Sequence, residues 1–168
     1  EAARGILYPG SGTGAWEAAI TNTLNPGDRV LMARHGQFST LWAEMATRLG
    51  LAVEVIDVAW GAGAPVNEFA RLLAADRKGE IKAVFVTHHE TATRVTRDLA
   101  GVRRATGDPL HDDLPLVEGV SSAGSLDRRI LSPTTPTGWI KLVASCANEI
   151  VAVTELPQPA QPAALTAV

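Results

Sequence analysis

The chain has one cysteine, Cys146, in 168 residues, which excludes an intrachain disulfide framework and points to a reducing compartment. It has no apolar run near the roughly 18 residues needed to cross a bilayer, and its first ten residues, EAARGILYPG, lack the apolar core of a signal peptide. No long run of one charge sign occurs and the formal net charge is −3, so neither a basic stripe for nucleic acid nor an acidic tail is present. No Gly-Lys-Ser/Thr follows a glycine loop, which removes a P-loop. No G-x-S-x-G occurs, which removes a serine nucleophile elbow. No initiating Met is present, so the start of the coding region is expected upstream. The expected location is cytoplasmic, with no membrane and no nucleic-acid partner.

What is present fits one globular unit with 46% hydrophobic residues. Short β-branched runs at 29–33, 52–58, 82–88 and 114–120 alternate with runs of helical period at about 13–24, 37–49, 66–76 and 95–106. Asn25-Pro26-Gly27 reads as a turn and Gly50 as a left-handed helix cap. Phe38, Leu41, Trp42, Met45 and Leu49 share one helical face, as do Phe69, Leu72 and Leu73, and both stripes read as core. The alternation predicts an α/β fold, a mostly parallel sheet with helices on both faces, whose ligands gather at the carboxyl ends of the strands. Beyond residue 129 proline and alanine dominate. Residues 130–168 are therefore expected to be a divergent, poorly ordered segment, in which only 139–153 has the makings of a strand or short helix.

The segment YPGSGTGAWEA (8–18) carries the first chemical signal. Gly10, Gly12 and Gly14 alternate ahead of a helix, with Ser11 and Thr13 between them. Backbone N–H groups and the helix dipole at such a start favour an anion. A helix cap by Ser11 or Thr13 is the simpler alternative. A Rossmann loop is another, because Gly10 to Ala15 satisfies G-x-G-x-x-A and Arg34 is placed to meet a 2′-phosphate. His88-His89-Glu90 has the residue types of a metal site, but adjacent strand side chains point to opposite faces, so no metal site is expected.

The ordered set PGSGTGAWEAAITNTLNPGDRVLMARHGQFS, VEVIDVAWGAGAPV, IKAVFVTHHETATRVTRD and LPLVEGVSS, over roughly residues 5 to 129, resembles the large domain of class V aminotransferases, most closely the serine–glyoxylate and alanine–glyoxylate group. The resemblance implies an aspartate-aminotransferase-type (fold type I) domain. It also implies pyridoxal 5′-phosphate as cofactor, small amino-acid and 2-oxo-acid substrates, and a homodimer. It assigns Ser11, Gly12 and Thr13 to the cofactor phosphate. His35 stands where the family carries an aromatic on the pyridine ring, and Thr91 of THHETATRV lies near the ring. His89 replaces the family's Asn and Arg94 its Gly. Glu118 of LVEGVSS takes the place of the family's Asp at the pyridine nitrogen, longer by one methylene or about 1.5 Å, and Val120 is implied on the opposite ring face from His35.

The family's Schiff-base lysine, in a GSQKG motif, has no counterpart. Lys141 is the only lysine after Glu118, and its neighbours match nothing in that motif. A truncated or frame-shifted copy, inactive alone, is the expected reading. A non-catalytic phosphate- or NADP-binding module is the alternative.

Overall fold

The computed structural model describes residues 4–9, 11–96, 98–106, 114–119, 141–146 and 149–154. Its elements run β1 (Arg4–Pro9), α1 (Gly12–Thr23), β2 (Arg29–Arg34), α2 (Gln37–Arg48), β3 (Ala52–Asp57), α3 (Val66–Ala75), β4 (Ile81–Thr87), a two-residue hairpin of β5 (His89–Glu90) and β6 (Val95–Thr96), α4 (Leu99–Thr106), β7 (Leu114–Glu118), β8 (Lys141–Cys146) and β9 (Glu149–Thr154). The helix expected from residue 95 begins at Leu99, because Val95 and Thr96 pair back onto Glu90 and His89 instead.

Seven strands form one sheet in the order β1-β9-β8-β7-β4-β2-β3. β9 runs antiparallel to both its neighbours, and the pairings from β8 through β7, β4 and β2 to β3 are parallel. β1, antiparallel to β9, therefore points the same way as the other five. β8 and β9 fall almost wholly within 139–153, the part of 130–168 expected to have the makings of a strand, and they close the sheet between β7 and β1. Residues 155–168 lie outside the described residues.

Strand alternation sorts the core into two layers. Val30, Met32, Ala83, Phe85 and Leu116 meet Ala15, Trp16 and Ile20 of α1 and Trp42, Ala43 and Ala46 of α2. Leu31, Ala33, Val84, Val86 and Val117 meet Phe69 and Leu73 of α3 and Leu99 and Val102 of α4. The buried face of α2 is rotated from the expected stripe: Phe38 and Leu41 are each 37% exposed, while Ser39, Trp42, Ala43 and Ala46 are buried. Small alanines let the helix approach closely, and Trp42 then fills the gap, stacked on Phe85 at 4.6 Å and on Trp16 at 5.8 Å. α2 ends as its sequence predicts. Gly50 adopts φ +88°, its N–H donates to Thr47, and the Leu51 N–H donates to Ala46. This two-bond cap needs a residue free to enter the left-handed region.

Candidate functional site

Six of the seven strands end on one rim of the sheet. Chain order reverses there between β2 and β4, since β2 leads to β3 on one side and β3 leads back across β2 to β4. Such a reversal opens a crevice at the carboxyl ends of the strands. The glycine loop after β1, the His35 turn after β2, the segment from Thr87 after β4, and Glu118 at the end of β7 all lie on this rim.

At the start of α1, Ser11 is the N-cap, its Oγ accepting from the Gly14 N–H at 3.1 Å. The capping alternative thus holds for this hydroxyl oxygen. Among the described residues it leaves the N–H groups of Gly12 and Thr13 without a hydrogen bond, and Ser11 and Thr13 are exposed. Two outward N–H groups at the positive end of a twelve-residue helix are suited to an anion. α1 lies over β8 and β9. One turn in, Trp16 meets Phe38 of α2 edge-on at 6.5 Å, which ties the two helix starts together at the rim.

The His35 turn is held from below. Gly36 is the N-cap of α2 and has no side chain to serve its first N–H groups. Glu90, 52 residues beyond Phe38 and fully buried, supplies the acceptors: Oε1 takes the Phe38 N–H and Oε2 the Ser39 N–H, each at 3.1 Å. The Ser39 Oγ accepts from the N–H groups of His35 and Gly36, both at 3.1 Å, and lies 3.1 Å from Glu90 Oε2. His35 is buried, with Nδ1 3.5 Å from that hydroxyl and 3.9 Å from Glu90. Sequence reasoning weighed Glu90 only as a metal ligand. The signal that points to its role is the glycine at an N-cap position, which obliges a helix to find its acceptor elsewhere.

Thr87 and Glu118 are paired neighbours at the ends of β4 and β7, and both are buried. Alternation from Phe85 and Leu116 puts both on the α1/α2 side of the sheet, the side of the glycine loop. Among the described residues the buried Thr87 hydroxyl has no hydrogen-bond partner, as is also true of the Trp16 and Trp42 indole N–H groups in the core. The His88 N–H donates to the Glu118 carbonyl at 2.9 Å. Burial, and then the neighbouring charge of His89, hold the His88 imidazole below its ordinary 6.5. The unfolded chain therefore binds a proton that the folded chain resists, and stability present above pH 6.5 is lost as the pH falls below it. Melting temperatures recorded from pH 7.5 down to about 5.5 are expected to fall, and His88→Gln is expected to flatten the decline.

The consecutive residues 88 to 90 turn to different partners, with His89 Nδ1 3.0 Å from Thr96 Oγ1 and Glu90 under α2. Thr91 is exposed in the turn after Glu90. That turn is closed by Thr93 and Arg94, whose N–H groups both donate to the Glu90 carbonyl. Arg94 takes φ +57°, a backbone state that accounts for the glycine at this position in the family pattern. Arg94→Gly is expected to raise stability by about 0.5 to 1 kcal/mol in a urea titration, relief of the left-handed strain outweighing the added chain entropy.

Lys141 opens β8 with its backbone opposite Leu116, two residues before the level of Glu118. The described residues therefore bring Ser11, Gly12, Thr13, His35, Thr91 and Glu118 to one rim and leave the Lys141 backbone short of it. Val120 lies outside the described residues. The dinucleotide alternative fails on topology. In that arrangement the glycine loop follows a central strand beside its successor, whereas here four strands separate β1, at the sheet edge, from β2. Arg34, the residue offered for a 2′-phosphate, is paired with Asp57 at 2.7 Å.

A sheet of this order, with a single antiparallel strand and a rim that gathers a helix start and a buried carboxylate, is the fold of the fold type I aminotransferases, and over its matched residues the chain is similar to the class V members of that fold. The relatives it matches include glyoxylate aminotransferases. The serine–glyoxylate aminotransferase of Hyphomicrobium methylovorum is 59% identical over 127 residues, which are 76% of this chain and 31% of that protein. The L-aspartate–glyoxylate aminotransferase of Paracoccus denitrificans is 51% identical over 125 residues, 74% of this chain and 32% of that protein. The solved alanine–glyoxylate aminotransferase of Nostoc sp. superposes with a TM-score of 0.73 at 26% identity, covering 89% of this chain and 40% of that one. The chain thus spans about a third of the length of the curated relatives it matches. No protein-family model matches it. Among the described residues no helix is long and apolar enough to cross a membrane.

Proposed function

We propose that this chain is the cofactor-binding part of a glyoxylate aminotransferase and that it binds pyridoxal 5′-phosphate at the rim without turning over as this chain alone. The observation that carries the reading is the convergence of an anion-ready helix start, the His35 turn and the buried Glu118 on one side of one sheet. The Gly12 and Thr13 N–H groups and the Ser11 and Thr13 hydroxyls would hold the phosphate. His35 and Thr91 would serve the ring, and Glu118 would serve the pyridine nitrogen. When bound, the cofactor supplies an electron sink for a carbanion at the substrate's Cα. Glu118 would serve that chemistry as the partner of the ring nitrogen, and the helix start would orient the ring through its phosphate.

The substrates of the full-length relative are a small amino acid and a 2-oxo acid, and the assembly is a homodimer. Phe38 and Leu41, partly exposed on α2 beside the site, support an apolar contact there. Inactivity alone follows from the lysine. Proton transfer at Cα calls for an amine on the rim, and Lys141, the only lysine after Glu118, begins its strand below that level.

Titrating the chain with pyridoxal 5′-phosphate, NADPH and inorganic phosphate, followed by melting temperature and visible absorbance, tests the proposal. Stabilisation by pyridoxal phosphate and not by NADPH, weakened at least about tenfold in Ser11→Ala and Glu118→Ala, is the expected outcome. Stabilisation by NADPH alone overturns it. Borohydride reduction and peptide mapping decide the lysine, because a pyridoxyl label on Lys141 assigns it the catalytic role and contradicts inactivity.

A further inference from the structure

We propose that Glu90 is the positioning residue of this site, holding the His35 turn in place for the ring through the first turn of α2. The inference rests on the reading of the rim as a pyridoxal-phosphate site, but its geometry stands apart from that reading. A helix that begins on glycine has no cap of its own, and this one begins beside the residue that would lie against the ring. Glu90 reaches it from the far side of the β2/β4 crevice. One carboxylate oxygen takes the Phe38 N–H, the other takes the Ser39 N–H, and the Ser39 hydroxyl links that second oxygen to the N–H groups of both His35 and Gly36.

The carboxylate gives each of the two N–H donors an oxygen of its own, and a glutamine in the same place would set an NH2 group against one of them. The space is shaped to match: a Cβ on Gly36 would overlap Glu90 Cγ and Cδ, so the turn passes directly over the carboxylate only because residue 36 is glycine. Glu90 is in turn anchored by its own carbonyl, which accepts the N–H groups of Thr93 and Arg94. The turn after β2 and the turn after β4 are thereby locked to each other across the crevice.

The test uses the whole chain, its histidines labelled with nitrogen-15 and the His35 signal assigned with His35→Gln. In Glu90→Gln the His35 ring resonances are expected to move and broaden while those of His89, held by Thr96, stay. Affinity for pyridoxal phosphate is expected to fall about tenfold, with affinity for inorganic phosphate, which reads the glycine loop alone, within about twofold. Ser39→Ala, which keeps both carboxylate caps but cuts the link to His35, is expected to give the same pattern at smaller amplitude and serves if the first variant does not fold. Unchanged His35 resonances in a folded variant, or equal loss of pyridoxal phosphate and phosphate, overturn the proposal. A wild-type chain that binds no pyridoxal phosphate ends the cofactor reading, and the His35 resonances still decide whether Glu90 holds the turn.

Discussion

Gly36→Ala is expected to destabilise the chain by about 3 kcal/mol, combining overpacking with the loss of buried cap bonds. The backbone is not the obstacle. Gly36 has φ 178°, extended geometry open to any residue. The obstacle is Glu90, whose Cγ and Cδ occupy the space of the new methyl group. To relieve the overlap the buried carboxylate has to move, and movement strips the Phe38 and Ser39 N–H groups of their acceptors. Urea unfolding of Gly36→Ala, Glu90→Ala and the double variant measures this. Once Glu90 is shortened the methyl group has room, so the double variant is expected to be less destabilised than the sum by about 2 kcal/mol. Strict additivity would show that the crowding lies elsewhere.

Trp42→Ala is expected to cost about 4 kcal/mol, a large share of the 5 to 15 kcal/mol typical of a domain. Trp42 is 0% exposed and lies between Trp16 of α1 and Phe85 of β4. Removing it opens a cavity where α1, α2 and the sheet meet, and both helices start at the rim. Trp42→Phe is expected to cost much less than the lost volume implies. The indole Nε1 is buried without a partner, and an unsatisfied donor of that kind already costs about 1 to 3 kcal/mol. Near-ultraviolet circular dichroism against urea separates the two, and equal losses for Ala and Phe would contradict the account.

Most elements were legible because their signals are local. The run RVLMA, expected as a strand at 29–33, is β2 at Arg29–Arg34, and Gly50 closes α2 in the left-handed state its position called for. The buried face of α2 was less legible. Periodicity grouped Phe38 and Leu41 with Trp42, whereas the angle at which the helix meets the sheet buries Ser39, Ala43 and Ala46 in their place. The stretch 139–153 was legible as a strand or short helix, but that it forms two strands pairing with β7 and β1 was not, since pairing is a long-range matter to which composition is blind.

By itself the sequence determined an alternating α/β chain, a glycine-rich helix start, a carboxylate at residue 118 and the absence of the GSQKG motif from the given residues, because each of these is written in adjacent residues. The tertiary structure alone decided that β1 stands at the edge, which removes the dinucleotide reading, and that Glu90 lies beneath the His35 turn. Both depend on which strands are neighbours, and strand order is set by burial across the whole sheet, where residues 52 apart in the chain meet.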